Sequence, residues 1–354
     1  MKIIHILNEF REIGNGIVNV AVDLAIVQAE EGHEVVVVSS GGEYVDLLEK
    51  HGGKHILLDQ KRDPSTILVA LRQFKAIIRT MKPDIVHAHM MTGAILAKLC
   101  QPGQNYKIVT TVHNEYQKSA LFMGLGDSVV AVSAAVARAM ARRGVRARKL
   151  EVIYNGILGS YRRTKLAAIS PVSLERPAIV TVGAVSKRKG ALELIEAFNQ
   201  IAAENKEVHL YFVGNRDLPE AETNASNGGF GDRIHFVGFE PQPLKYLLST
   251  DIFVLASHQE PFGLVITEAR EAGLPIVASD VDGIPEALSN GKSGLLFPVG
   301  NVERLVAVLR LLLDSAEQRE YWAEKSKEGL AEFTVPIMAS RYMAVYRQLT
   351  GGQS

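Results

Sequence analysis

Short apolar runs rich in β-branched residues alternate with amphipathic stretches along almost the whole chain. No other feature constrains the fold as much. In the first half the runs are Lys2–Leu7, Glu34–Ser39, Lys54–Leu58, Ile85–His89, Lys107–Val112, Ser128–Val132 and Glu151–Ile153. Between them, Ile17–Glu31, Ser65–Met81 and Ala134–Arg143 carry helical periodicity, with Gly32 placed to cap the first. Strands alternating with helices imply a parallel sheet with covering helices. The pattern breaks once, from Tyr161 to Pro177, where charged, serine and proline residues follow no period. It then restarts. Ile179–Val182, Val208–Val213, Ile234–Val237, Ile252–Leu255, Pro275–Ala278 and Gly294–Phe297 read as strands. Leu192–Ala202, Pro243–Leu248, Gly263–Ala272 and Val302–Leu313 read as helices. The chain is therefore α/β with two units: 1–160, a linker at 161–177, and 178–335. A tail helix near Pro336–Leu349 repeats Ile337, Met338, Tyr342, Val345 and Tyr346 at helical spacing, so it packs on something.

Composition narrows the partners. Lys plus Arg equals Asp plus Glu, 39 each, so no global field points to nucleic acid. The one cysteine, Cys100, excludes an internal disulfide and CxxC metal or redox motifs, and favours a reducing, cytoplasmic setting. Met1–Leu7 reads as a first strand rather than a signal peptide. No apolar run reaches the ~18 residues that span a bilayer.

In open parallel sheets ligands bind beyond the carboxyl ends of strands, and two such sheets facing each other form a deep cleft. Strand ends are therefore where chemistry is expected. After Ile252–Leu255 comes a loop ending in Glu260, then a helix start at Phe262 or Gly263. Gly263 permits close backbone approach, and the N–H groups of Gly263, Leu264 and Val265 with the helix dipole make an anion site. Glu260 and Glu268 flank it and suit hydroxyls, including a vicinal diol. That geometry suggests a sugar nucleotide, with the diphosphate on the helix and hydroxyls on the acids. Two surface glutamates on an ordinary helix fit the spacing equally well. After Ile179–Val182, the loop Gly183 to Gly190 carries Lys187, Arg188 and Lys189, suited to a diphosphate leaving group or simply a solvated basic turn. His113 ends strand Lys107–Val112 and suits a substrate hydroxyl or proton transfer, or a structural bond. His87 and His89 stand at i, i+2, but no carboxylate or cysteine pattern supports a metal, so both read as structural. Gly14 and Gly16 open a loop before the first helix; Asn19 occupies the third glycine position, so the dinucleotide fingerprint fails. Asp280-Val281-Asp282 reads as a turn rather than a metal-binding D-x-D.

Together these motifs resemble one family, the retaining, GT-B-fold glycosyltransferases of family 4. Glu260-Pro261-Phe262-Gly263-Leu264-Val265-Ile266-Thr267-Glu268 looks like that family's E-x7-E signature. Gly273–Ser279, Gly283–Glu286, Asn290–Phe297, Tyr154–Ile157 and Pro83–His89 also fit. The resemblance implies a GT-B fold: two Rossmann-like domains facing across a deep cleft, with the C-terminal helix, 336–352, crossing back to complete the N-terminal, acceptor-side domain. The C-terminal domain would take the donor. Glu260 would contact the transferred sugar. Phe262, Gly263 and Leu264 would offer backbone to sugar and phosphate, and Glu268 would hold the ribose. Lys189 would bind diphosphate, and His113 would touch the sugar near its 6-hydroxyl. Gly14–Gly16 would close over donor or acceptor, and the base would sit near Val213–Asp217 and Val237–Phe239. Two departures stand out. Ala184 replaces an Arg frequent after the glycine at 183, a loss that Arg188 would offset. Asn114 stands where Asp often follows the histidine.

The expected activity is metal-independent transfer of a hexose, with retention, from a nucleoside-diphosphate sugar to a saccharide or lipid-linked acceptor. UDP-glucose or another UDP-hexose is the favoured donor, from its frequency in the family. Cations and helix N–H groups aimed at the leaving diphosphate would stabilise its charge without an added metal or other cofactor. The alternatives are a GT-B-like sugar-nucleotide epimerase, a non-catalytic sugar-nucleotide-binding protein, and a dehydrogenase, the last weakened by the failed fingerprint. Arg138, Arg142, Arg143, Arg146, Arg148 and Lys149 add a basic segment at 138–149. It is either a solvated face or a peripheral contact with anionic lipid on the inner side of a membrane.

Overall fold

The computed structural model describes residues 1–61 and 64–352, and it divides into two compact units, each a doubly wound parallel sheet. Unit 1 comprises Met1–Arg162 with Glu332–Ser354, and unit 2 comprises Arg163–Ala331.

Unit 1 carries β1 (Lys2–Ile6), α1 (Gly16–Glu30), β2 (Glu34–Ser39), α2 (Tyr44–Lys50), β3 (Lys54–Leu57), α3 (Pro64–Met81) and β4 (Ile85–Ala88). It continues with α4 (Met91–Cys100), β5 (Lys107–Val112), β6 (Ser128–Ala131), α5 (Ala134–Arg142) and β7 (Leu150–Val152). Its strand order is β3-β2-β1-β4-β5-β6-β7, all neighbours parallel. Helices cover such a sheet on both faces, so its central strands read as near-continuous apolar runs, as Val35–Val38 does. Asn15 and Ser133 cap α1 and α5 by accepting from Ile17 N and Val136 N.

Unit 2 carries β8 (Ala178–Val182), α6 (Ala191–Glu204), β9 (His209–Val213), α7 (Pro219–Asn227), β10 (Ile234–Gly238), α8 (Leu244–Leu247) and β11 (Ile252–Leu255). It continues with α9 (Leu264–Glu271), β12 (Ile276–Ser279), α10 (Ile284–Ala287), β13 (Leu295–Phe297), α11 (Val302–Asp314) and α12 (Ala316–Lys327). The order is β10-β9-β8-β11-β12-β13, again all parallel. α6 and α11 bury Phe198, Leu309 and Leu312 on this sheet.

In both sheets the winding reverses once, between β1 and β4 and between β8 and β11. Chain leaving the carboxyl ends of those strand pairs diverges to opposite faces and leaves a crevice there. That topology decides where each unit offers a binding site.

The tail helix α13 (Val335–Leu349) belongs to unit 1. Thr334 caps it, Val335 N donates to Leu158 O at 2.9 Å, and Ile157 N donates to Phe333 O at 2.9 Å. Met338, Tyr342 and Tyr346 are fully buried, and α13 packs along α1. Near the same place Arg162 forms a bidentate pair with Asp23 of α1, at 3.1 and 2.7 Å, and Ser160 Oγ donates to the same carboxylate at 2.7 Å. The Asp23 side chain is wholly buried and that of Arg162 is 6 % exposed. Removing one member of such a pair leaves the other buried and charged. Asp23→Ala is therefore expected to lower the stability of the protein by about 3–5 kcal/mol, read from urea denaturation; a loss below about 1 kcal/mol would contradict this role.

Candidate active site

The site in unit 2 is built on the two strands flanking the reversal. β8 delivers the loop Gly183–Gly190, and β11 delivers the loop Ala256–Gly263. The two loops are clasped together. His258 N donates to Arg188 O at 2.8 Å, the Arg188 guanidinium donates to Gln259 O at 2.9 Å, and His258 Nε2 lies 2.8 Å from Glu193 Oε1 at the start of α6. At the centre, Lys189 Nζ pairs with the Glu260 carboxylate; their side chains are 17 % and 11 % exposed. The structure thus joins two residues that the motifs singled out separately. Of the other two cations, Lys187 turns away to Glu220 at 2.9 Å, and Arg188 spends one guanidinium nitrogen on the loop backbone. Gly183 lies beneath Lys189, where a Cβ would stand 3.5 Å from Lys189 Cε.

Gly263 precedes α9 with φ +87°, a conformation that only glycine adopts freely. No side chain caps this end. The N–H groups of Leu264 and Val265 fall in the first turn, so they have no acceptor within the helix. Phe262 is buried as a side chain, so what it offers a ligand is backbone. Glu268, one turn further on, lies 4.0 Å from Arg163 Nε, whose Nη2 pairs with Glu271 at 2.6 Å. Val237 is elsewhere: it is the residue skipped at a register shift at the end of edge strand β10, three strands from β11.

Three positioning groups escaped the sequence reading. Asp282, read only as part of a turn, has φ +48°, and its carboxylate accepts the Glu260 N–H at 3.1 Å. Gly283 N donates to Glu260 O at 3.1 Å, and a Cβ at Gly283 would lie 2.1 Å from Pro261 O, so only glycine fits beneath this loop. Asp282 and Gly283 therefore grip the loop that carries Glu260. Arg270, wholly buried in α9, donates to Ala287 O, Ser326 O and Glu328 O at 2.5–2.8 Å and fixes the helix bearing Glu268.

In unit 1 histidines cluster at the β1–β4 pair, bonded to residues of α1 and α13. His5 of β1 is in register with His87 of β4; His89 follows β4, and His113 follows β5. His5, His87 and His89 are buried; His113 is partly exposed. The nitrogens of His5, His87 and His89 lie close enough for a metal, yet all six already have hydrogen-bond partners among the described residues. Burial lowers every pKa, that of His5 to about 4, that of His113 to about 3, and those of His87 and His89 well below the ordinary value. Gly14, with φ +68°, lies in the exposed loop after β1, and Gly16, half-buried, is the first residue of α1.

Residues 14–157 match the model of Glycosyltransferase Family 4, and residues 162–329 match that of Glycosyl transferases group 1. The chain belongs to this glycosyltransferase family, whose fold, GT-B, is built of two Rossmann-like domains. A phosphatidyl-myo-inositol mannosyltransferase of Mycolicibacterium smegmatis is 25% identical, over 96% of this chain and 92% of that protein. A Rickettsia africae glycosyltransferase of solved structure superposes with a TM-score of 0.85 at 22% identity, covering 99% of each chain. Anabaena HepE in complex with UDP-glucose gives 0.81 at 20% identity, over 98% of this chain and 100% of that one.

The histidine pKa values carry a stability prediction. Neutral imidazole is favoured in the fold, so below pH ~6.5 the unfolded chain binds protons that the folded chain refuses. Stability is fully present above that pH. It is expected to fall on acidification, through a window reaching about 4 for His5 and about 3 for His113. Denaturant titrations at a series of pH values check this; stability that is flat between pH ~7 and ~5 would contradict it.

Proposed function

We propose that the protein transfers a hexose, with retention, from a nucleoside-diphosphate sugar to a hydroxyl of a saccharide or lipid-linked acceptor. UDP-glucose or another UDP-hexose is the donor. The observation that carries this reading is the convergence, at one sheet reversal, of Lys189, the N-terminus of α9 and the buried carboxylate of Glu260. The first two suit a diphosphate and the third suits a sugar hydroxyl. The HepE complex with UDP-glucose supports the choice of donor, and the mannosyltransferase, named for a phosphatidyl-myo-inositol, supports the lipid-linked class of acceptor.

The barrier to such a transfer is charge separation at the anomeric carbon as the diphosphate leaves. Lys189 exchanges part of its pairing with Glu260 for the diphosphate, Arg188 supplies a second cation at the rim, and the N–H groups of Leu264 and Val265 receive phosphate oxygens. These fixed charges meet the developing charge without an added metal. Glu260, held at its own backbone by Asp282 and Gly283, orients the sugar, and Glu268 takes the ribose diol. The mechanism is front-face substitution: a donor phosphate oxygen accepts the proton of the acceptor hydroxyl. Lys189→Ala is expected to lower kcat/KM by about 10²–10³ with UDP-hexose donors. Retention of full kcat/KM would remove Lys189 from the leaving-group role.

The lipid-linked acceptor has a matching surface. Arg138, Arg142, Arg146 and Arg148 are exposed on and after α5. The 3-10 segment Lys118–Leu125 runs beside them, tied by Arg143 to Gln117 O at 2.9 Å and by Lys149 to Gly126 O at 2.7 Å. It exposes Leu121 and Phe122, at 51% and 48%. Basic charge around two exposed apolar side chains suits the headgroup layer of an anionic membrane, and no described helix is long and apolar enough to cross one. Flotation with vesicles containing phosphatidylglycerol is expected to show binding that salt weakens. Each of Arg142→Ala and Arg146→Ala should reduce it by about 1 kcal/mol. Absence of binding, or binding indifferent to salt, would overturn the contact.

A further inference from the structure

The histidines of unit 1 form a directed chain. Gln28 of α1 presents its carbonyl oxygen, 2.8 Å away, to His5 Nε2. His5 Nδ1 lies 3.0 Å from His89 Nε2, and His89 Nδ1 lies 3.3 Å from His113 Nε2. Each ring is neutral, so each carries one N–H and one bare nitrogen. A carbonyl oxygen only accepts. His5 Nε2 therefore holds the hydrogen and its Nδ1 is bare. His89 Nε2 must then donate, which leaves His89 Nδ1 bare, so His113 Nε2 must donate in turn. The direction of the whole chain is set by Gln28.

The orientation of Gln28 has its own support. Its amide nitrogen turns toward the Tyr346 hydroxyl of α13, although the contact falls short of full hydrogen-bond geometry. The Tyr346 hydroxyl lies 2.7 Å from His87 Nδ1, and His87 Nε2 lies 2.7 Å from Thr111 Oγ1. With Tyr346 donating to His87 and His87 donating to Thr111, each ring nitrogen of His5, His87 and His89 is matched donor to acceptor. The tail helix thus helps to set the buried end of the chain, opposite the partly exposed His113.

We propose that Gln28, acting through His5 and His89, holds His113 as the Nε2–H tautomer, so that its Nδ1 stands as a hydrogen-bond acceptor for a hydroxyl of the sugar substrate. No described residue bonds to that nitrogen. Gln28, His5 and His89 are positioning residues. His113 is the group that meets substrate, a part of the inference that rests on the transferase reading above. An acceptor nitrogen selects a group with a hydrogen to give. A sugar bearing a carboxylate or a methyl group in that place is discriminated against.

The test is the tautomer itself, measured in protein labelled with 15N-histidine by two-bond proton–nitrogen correlation spectra, with the His113 signals assigned by their loss in His113→Gln. The wild type is expected to show His113 with its hydrogen on Nε2. Gln28→Met removes the acceptor at nearly the same volume and should give mixed tautomers, with kcat/KM lowered by about tenfold. Gln28→Glu restores an acceptor-only partner and should restore the single tautomer. A hydrogen on Nδ1 in the wild type, or a Gln28→Met protein with an unchanged His113 spectrum, would overturn the proposal. The wild-type spectrum requires no turnover, and its assignment needs only the folded His113→Gln protein. A correct tautomer in a protein without transferase activity would sink the functional reading and leave the chain of tautomers standing.

Discussion

The pairing of Lys189 with Glu260 is the contact on which the organisation of unit 2 around its site depends. A lysine and a glutamate this little exposed are each costly alone, and removing either one leaves the other buried without its partner. Everything around them keeps the two loops in register. His258 and Arg188 exchange bonds with the opposite loop, Asp282 holds the backbone of Glu260, and Gly283 lets that backbone approach. In the proposed transfer, a diphosphate would draw the lysine and leave the carboxylate open to a hydroxyl.

The same topological device serves unit 1 with different chemistry. Beside the β8–β11 reversal stands an ion pair; at the β1–β4 reversal stand imidazoles held neutral by burial. The difference follows from what supports each crevice. Unit 2 offers an uncapped helix start and a loop rich in cations. Unit 1 offers strands whose inward residues are themselves histidines, buried so deeply that protonation is refused. One reversal carries a charged pair and the other a hydrogen-bonded chain of imidazoles.

Much of this was legible from the sequence. The strands were, because strands of a parallel sheet buried on both faces are short unbroken apolar runs such as Val35–Val38. The helix start of the E-x7-E stretch was, because its glycine and the turn before it are consecutive residues. Short or polar helices were not. Tyr44–Lys50 gives two turns, too few for periodicity to register, and Ala316–Lys327 buries little beyond Ser326. Links that fold together distant residues were also hidden. Asp23 and Arg162 are 139 residues apart, His5 and His89 are 84 apart, and Glu260 and Asp282 are 22 apart. Asp282 carries the clearest lesson. In the sequence it is a turn residue, and in the fold that turn delivers its carboxylate to the amide of the acid the motif is named for.

The most direct measurement is a calorimetric titration of UDP-glucose and related UDP-hexoses into the protein with EDTA present. The expected result is saturable binding at one site per chain for at least one of them, weakened in Glu268→Ala, where the ribose partner is gone. Absence of binding by every UDP-hexose, or binding that appears only when a divalent ion is restored, would contradict a metal-free donor site built on Lys189, Glu260 and the start of α9.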